Sequence, residues 1–139
     1  MITFDTSVLV AGFSSWHEHH ESAVATLDAA PAPALIAHCA LETVSTLTRM
    51  PEPLRVAASD VVLYLRSWFG SELIALDARA FSTLIDELVG RGIDGGAVYD
   101  GLVAATARAH GATLTSADHR ARATYSALGV SVAWLPGTS

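Results

Sequence analysis

Short β-prone runs alternate with helical stretches along the whole chain, and this alternation restricts its fold more than any other feature. The candidate strands are residues 2–4, 35–37, 72–76, 112–115 and 130–135. Between them lie stretches of helical character: a short one over residues 8–13, then 21–30, 38–50, 54–69, 78–89, a buried one from 97 to the turn at Gly111, and a last one ending near Leu128. Pro31, Pro33, Pro51 and Pro53 break these helices, because proline lacks the amide proton and fixes φ. Strands separated by helices cannot pair as tight hairpins and pair in parallel instead, with the helices on the sheet faces. The pattern predicts the α/β class: a three-layer α/β/α sandwich around a parallel sheet of about five short strands. A length of 139 residues predicts one domain, 1–139, and a chain that is half hydrophobic can fill its core. No internal repeat, linker or low-complexity run interrupts it.

The most informative stretch is residues 97–118, AVYDGLVAATARAHGATLTSAD. Its helix is apolar or small on nearly every side, which predicts burial. Gly111 stands where a left-handed cap is expected, and a short strand follows. Asp100 lies in the first turn of the helix and Asp118 just beyond the strand. In an open parallel sheet, ligands sit beyond the carboxyl ends of the strands. Asp5 ends the first strand, and Glu42 is expected in the first turn of the helix after the second. Asp5, Glu42, Asp100 and Asp118 therefore map to one edge. Each taken alone has a plainer reading as a helix cap or dipole partner, and their agreement on one edge favours a site.

Four gathered carboxylates require a counter-charge. A hard divalent cation, Mg²⁺ or Mn²⁺, suits an all-oxygen donor set, and no His/Cys pattern of zinc type accompanies the acids. The chemistry such a centre supports is metal-assisted phosphodiester hydrolysis.

Composition removes several rivals. All eight basic residues are arginine. Without lysine there is no P-loop lysine, Schiff base or lysine general base, and the phosphotransfer folds with an acidic pocket lack their usual lysine. A formal net charge of −6 argues against coating nucleic acid by bulk charge. Arg49, Arg120 and Arg122 are candidates for local contacts to RNA phosphates. Cys39 is the single cysteine, so no internal disulfide forms, and with neither a signal-like start nor a membrane-length apolar run a cytoplasmic setting is expected.

Other polar groups are expected to be ordinary. The cluster Trp16-His17-Glu18-His19-His20 reads as a solvated surface patch. His38, His110 and His119 are expected to satisfy helix-end carbonyls, and Asp86 and Glu87 to be solvated mid-helix. Asp94 is a weak candidate for a supporting role.

The segments MITFDTSVLV, LETVSTLTR and GGAVYDGLVAATARAHGATLTSADHR together resemble the PIN-domain ribonucleases, most closely the VapC-type toxins of bacterial toxin–antitoxin pairs. The resemblance runs the length of the chain, and its specificity lies in the ordered set. It implies a PIN-like fold and an Mg²⁺- or Mn²⁺-dependent endoribonuclease acting on tRNA or other structured RNA. Asp5, Glu42, Asp100 and Asp118 take the catalytic positions, with Asp5, Asp100 and Asp118 as metal ligands. Ser116, where threonine is more usual, and Ser7 take supporting roles by hydrogen bonding. A homodimer held inactive by a VapB-like antitoxin is also implied. An apolar groove between residues 54–69 and 12–16 is a candidate seat for an antitoxin helix. The alternative is a catalytically idle PIN-like module that only binds RNA or a partner.

Overall fold

A computed structural model describes residues 1–139. In chain order the elements are β1 (Ile2–Phe4), α1 (Thr6–Phe13), α2 (His20–Ala29), α3 (Ala37–Thr48), α4 (Ala58–Phe69), α5 (Ala78–Gly90), α6 (Ala97–Ala109), β2 (Thr113–Ser116), a 3-10 turn (His119–Ala121), α7 (Arg122–Leu128) and β3 (Val132–Trp134). The sheet is parallel in the order β1-β2-β3, with Ile2 opposite Thr113 and Leu114 opposite Val132.

Three strands form, not about five. The two missing ones survive as single parallel bridges, Thr3 to Ala34 and Ile36 to Ile74. Three hydrogen bonds carry them: Ala34 N to Ile2 O (2.8 Å), Ile74 N to Leu35 O (2.9 Å) and Ala37 N to Ile74 O (2.9 Å). The chain leaves no room for more. Pro31 and Pro33 cannot donate, Ala32 takes a positive φ of 44°, and Ile36 is already the residue that opens α3. Around Ile74, a turn at Gly70 lies on one side and the Asp77 cap of α5 on the other.

Helix α4 also starts later than expected, at Ala58 rather than residue 54. Residues 51–57 instead fold back on the end of α3 through Leu54 N to Pro51 O (2.9 Å) and Val56 N to Leu47 O (3.2 Å).

Leu114, Thr115 and Ser116 are consecutive and all buried. Successive strand residues face opposite ways, so both faces of the sheet are covered. One cluster of 25 buried residues forms the core, including Phe4, Leu9, Leu114, Tyr125 and Leu135. Helix α6 ends as its sequence suggests: Gly111 at φ 65° reverses the chain, and the Ala112 amide reaches back to Ala107 O at 2.9 Å. No helix is long and apolar enough to cross a membrane.

Candidate active site

Asp5 is built in by both neighbours of β1. Its amide donates to Thr115 O at 3.1 Å, so the residue ends the strand pairing. One carboxylate oxygen caps α1, accepting the Ser7 amide at 3.1 Å and the Ser7 hydroxyl. The other accepts the Tyr125 hydroxyl of α7 at 2.7 Å. Asp5 is only 4% exposed. Burial pushes its carboxyl above the usual range, while the hydroxyls of Ser116, Ser7 and Tyr125 and the Val8 amide pull it back.

The two supporting serines act on the backbone beside Asp118. Ser7 Oγ accepts the Ala117 amide at 2.9 Å, and Ser116 Oγ accepts the Asp118 amide at 3.0 Å. They fix the turn that carries Asp118 off the end of β2. Asp118 caps the 3-10 turn rather than α7 directly, and its Oδ1 accepts both the amide and Nε of Arg120 at 3.1 Å.

Asp100 stands in the first turn of α6, as expected. Its carboxyl is pushed up to about 6, first by burial and then by the negative charges of Asp118, Asp5 and Glu42, with Arg120 opposing. The four acids of the sequence analysis thus share one electrostatic neighbourhood. Glu42 differs in detail. It lies in the second turn of α3, since that helix starts at Ala37, and it is half-exposed.

Two groups beside these acids escaped sequence reasoning. Tyr125 holds Asp5; a tyrosine on a buried helix face was the available signal, because its hydroxyl needs a partner. His38 does not satisfy a carbonyl. Its ring stacks on Tyr99, the residue before Asp100, with centroids 5.5 Å apart and planes 2° apart. Its Nε2 is buried without a hydrogen bond, 3.5 Å from Glu42 Oε2.

The expected RNA contacts separate. Arg120 is at the site and almost fully exposed. Arg122 is turned onto Trp134, with its guanidinium 4.4 Å from the ring centroid, and also donates to His119 Nδ1 at 2.8 Å. Arg49 closes the far end of α3, two helical turns beyond Glu42, and bonds Ser45 of its own helix.

Further expectations change. His110 Nδ1 does meet the Thr106 carbonyl, at 2.9 Å, but His119 stacks on Trp134 and bonds Thr138. Glu87 is not merely solvated: it pairs with Arg91 and Arg108, both at 3.1 Å. Asp94 is exposed in its glycine-rich loop. The expected groove between α4 and residues 12–16 is closed, since Phe13 packs edge-on against Tyr64 and Gly12 abuts the Tyr64 hydroxyl. An apolar groove of about 300 Å³ lies instead between α3 and α4, lined by Leu41, Val44, Val62 and Leu65 among others. The Trp16–His20 turn is not a detached surface patch. His17, Glu18 and His19 line a polar pocket with Asp118, and His20 Nδ1 donates to Ala11 O at 2.8 Å.

The donors at the acidic edge are all carboxylate oxygens, and the negative charges around Asp100 outweigh the opposing Arg120, so their chemistry fits a hard divalent cation. No three His, Cys, Asp or Glu side chains are drawn together as a ready-made ligand cage.

The PIN domain family model matches residues 2–126. Ribonuclease VapC40 of Mycobacterium tuberculosis is 50% identical over 132 residues, covering 95% of this chain and 97% of that protein. Ribonuclease VapC27 of the same organism is 40% identical over 131 residues, covering 94% of each. Among solved structures, FitAcB from Neisseria gonorrhoeae superimposes with a TM-score of 0.68 at 22% identity, covering 95% of this chain and 96% of that one. FitAB bound to the IR36 DNA fragment gives 0.67 at 22% identity, covering 96% and 94%. At that identity the two structures speak for the fold alone. Matched along most of its length by the family model and by two VapC ribonucleases, the chain belongs to the PIN-domain family, within its VapC branch.

Proposed function

We infer that this protein is a VapC-like ribonuclease toxin that hydrolyses RNA phosphodiester bonds in a divalent-metal-dependent reaction. The observation that carries the reading is the surroundings of Asp100, where burial first and then three further carboxylates from different elements raise its carboxyl to about 6. A fold gains nothing in stability from such crowding, whereas a cation site needs it. The kinship with Ribonuclease VapC40 and VapC27 supports the choice of RNA as substrate.

Asp5, Asp100 and Asp118 would hold Mg²⁺ or Mn²⁺, with Glu42 beside them. Such a cation, when bound, supplies an acidified water and neutralises charge on the phosphate. The chain's own residues do the positioning. Tyr125 and Ser7 fix the Asp5 carboxylate from two sides, and Ser116 orients the turn bearing Asp118. Arg120, bound to Asp118 through Nε, keeps its terminal nitrogens available to a phosphate.

Two partners extend the proposal. On α5, Phe81, Ile85 and Val89 repeat every four residues and are all exposed, a stripe suited to a second copy of the chain. The groove between α3 and α4 offers an apolar seat for a VapB-like antitoxin helix. A cytoplasmic location accords with the single, buried, free cysteine.

The test is cleavage of total tRNA and of a mixed single-stranded RNA pool by antitoxin-free protein, with Mg²⁺, Mn²⁺ or EDTA, beside the Asp100→Asn variant. Discrete products that require metal and vanish in the variant are expected. Equal cleavage by Asp100→Asn would overturn the site. Metal-induced thermal stabilisation without any cleavage would favour an idle binding module.

A further inference from the structure

The turn between α1 and α2 carries three aromatic rings in sequence. Trp16 and His17 lie with centroids 5.8 Å apart, and His17 and His19 at 5.7 Å, tilted by 41° and 47°. Trp16 is half-exposed. Behind this run is a pocket of about 540 Å³ lined almost wholly by polar residues. Ser7 and Asp118 of the acidic edge border it. His17, Glu18 and His19 form one wall, and Arg120 and Thr138 belong to the others. A segment from the first twenty residues therefore stands beside Asp118, about a hundred positions later.

The hydrogen bonding decides what this wall can offer. His17 Nδ1 accepts the His19 amide at 3.1 Å, so the ring proton sits on Nε2, where it has no partner within the chain. Burial and the neighbouring His19 hold the His17 imidazole below its ordinary range, which keeps it a neutral donor near pH 7. Arg120 uses only Nε on Asp118, and Glu18 is an exposed acceptor. Donors, acceptors and a net acidic border suit a neutral, bifunctional ligand better than a bare phosphate. The His17 and His19 rings in the wall, with Trp16 half-exposed beside them, suit a base, because sequence-selective contacts to RNA are made to unstacked bases lying on aromatic side chains. The volume falls within the range of small-ligand sites and accommodates one nucleotide.

We propose that this pocket is a nucleotide subsite, taking one unstacked nucleotide of the RNA strand next to the phosphate at the acidic edge. The base lies against the Trp16–His17–His19 run, and the His17 Nε2 proton and the Arg120 guanidinium bind its polar edges. The subsite makes the α1–α2 turn a determinant of base preference, and it rests on the ribonuclease reading above.

The experiment compares unmodified protein with Trp16→Ala and His17→Ala on a randomised single-stranded RNA pool with Mn²⁺, reading kcat, KM and the bases flanking each cut. Both variants are expected to raise KM about tenfold or more and to flatten the preference at one position beside the cut, with melting curves that report a folded chain. Folded variants with unchanged KM and unchanged base preference would overturn the subsite. Should either variant fail to fold, the unmodified protein is titrated with each of the four mononucleotides, following the Trp16 indole and His17 ring by NMR. Shifts at both residues support the pocket, and shifts confined elsewhere, or none, overturn it. If the unmodified protein cuts no RNA with Mn²⁺ here or with Mg²⁺ in the assay above, the ribonuclease reading fails on its own, and the mononucleotide titration alone decides the pocket.

Discussion

Tyr125 in α7 donates its hydroxyl proton to Oδ2 of Asp5, 2.7 Å away and 120 positions earlier in the chain. This bond joins the two ends of the fold at the residue most deeply buried among the site acids. Removing it by Tyr125→Phe leaves a buried carboxylate short of one donor. The expected loss is about 1–2 kcal/mol of stability. RNA cleavage should fall with it. A double-mutant cycle with Asp5→Asn, melted in EDTA, checks the coupling: if the two losses simply add, Tyr125 acts elsewhere.

Asp100→Asn should make the metal-free protein more stable at neutral pH. The folded chain holds the Asp100 carboxyl at about 6 against an ordinary 3.8, so it binds a proton more readily folded than unfolded. Stability from this group is therefore present at low pH and lost as pH rises through about 6. The asparagine variant escapes that loss. Melting in EDTA should show the largest advantage above about pH 6 and none below about pH 4. A variant less stable than the parent at pH 7 would contradict the crowding of the four acids.

Glu87 predicts the opposite pH trend. Hydrogen bonding to Arg108 holds its carboxyl below the usual 4.5, with Arg91 adding to the effect. A depressed carboxyl contributes stability above the ordinary range and loses it as pH falls. Arg108 also donates to Leu128 O at 2.6 Å, so the network ties α5 and α6 to the end of α7. Glu87→Gln should lose up to about 1 kcal/mol at pH 7 and little in acid, read from urea midpoints at each pH.

Gly12→Ala should be costly although alanine is the better helix former. A Cβ at this position would stand 2.7 Å from both Leu27 Cδ1 and the Tyr64 hydroxyl. Tyr64 cannot swing away without breaking its 2.8 Å bond to Leu9 O. Overpacking of this kind costs about 1–3 kcal/mol, more than the propensity gain of about 1 kcal/mol. A melting temperature equal to the parent's would show that α1, α2 and α4 pack more loosely here.

The exposed stripe on α5 gives a solution test. Ile85→Glu puts a charge at its centre, where the side chain is half-exposed and makes no part of the core. Sedimentation should show a dimer for the parent and a monomer for the variant, with the monomer's own fold unchanged. A parent that sediments as a monomer would remove α5 as an interface.

The positions of Asp5, Asp100 and Asp118 were legible because each stands at a local boundary that a sequence displays: Asp5 after a β-prone run, Asp100 opening an apolar helix, Asp118 beyond the strand at Leu114; Glu42, inside its helix, lies a turn further along than expected. Ser116 and Ser7 were named through the family resemblance, which sets a small hydroxyl residue beside the acids. Pairing was less legible, since residues 35–37 and 72–76 look like strands yet are cut to one bridge each by prolines and helix starts on either side. Whatever depends on distant segments meeting was out of reach. Nothing local tells that His17 and Asp118 line one pocket, or that Arg122 folds onto Trp134.

The position of β2 in the middle of the sheet has a consequence for the making of the protein. Strand β1 is synthesised more than a hundred residues before β2, but apart from one bridge at Ala34 its only partner is β2, with Ile2 opposite Thr113. Until that strand emerges, Asp5 has neither the Thr115 carbonyl to hold it nor the Tyr125 hydroxyl to bind it. A growing chain therefore carries Asp5, Glu42 and Asp100 in its sequence without gathering them in space, and pairing across so long a loop is slow. For a protein whose proposed substrate is RNA, the acids therefore come together only once β2 and α7 have been made and have closed on β1.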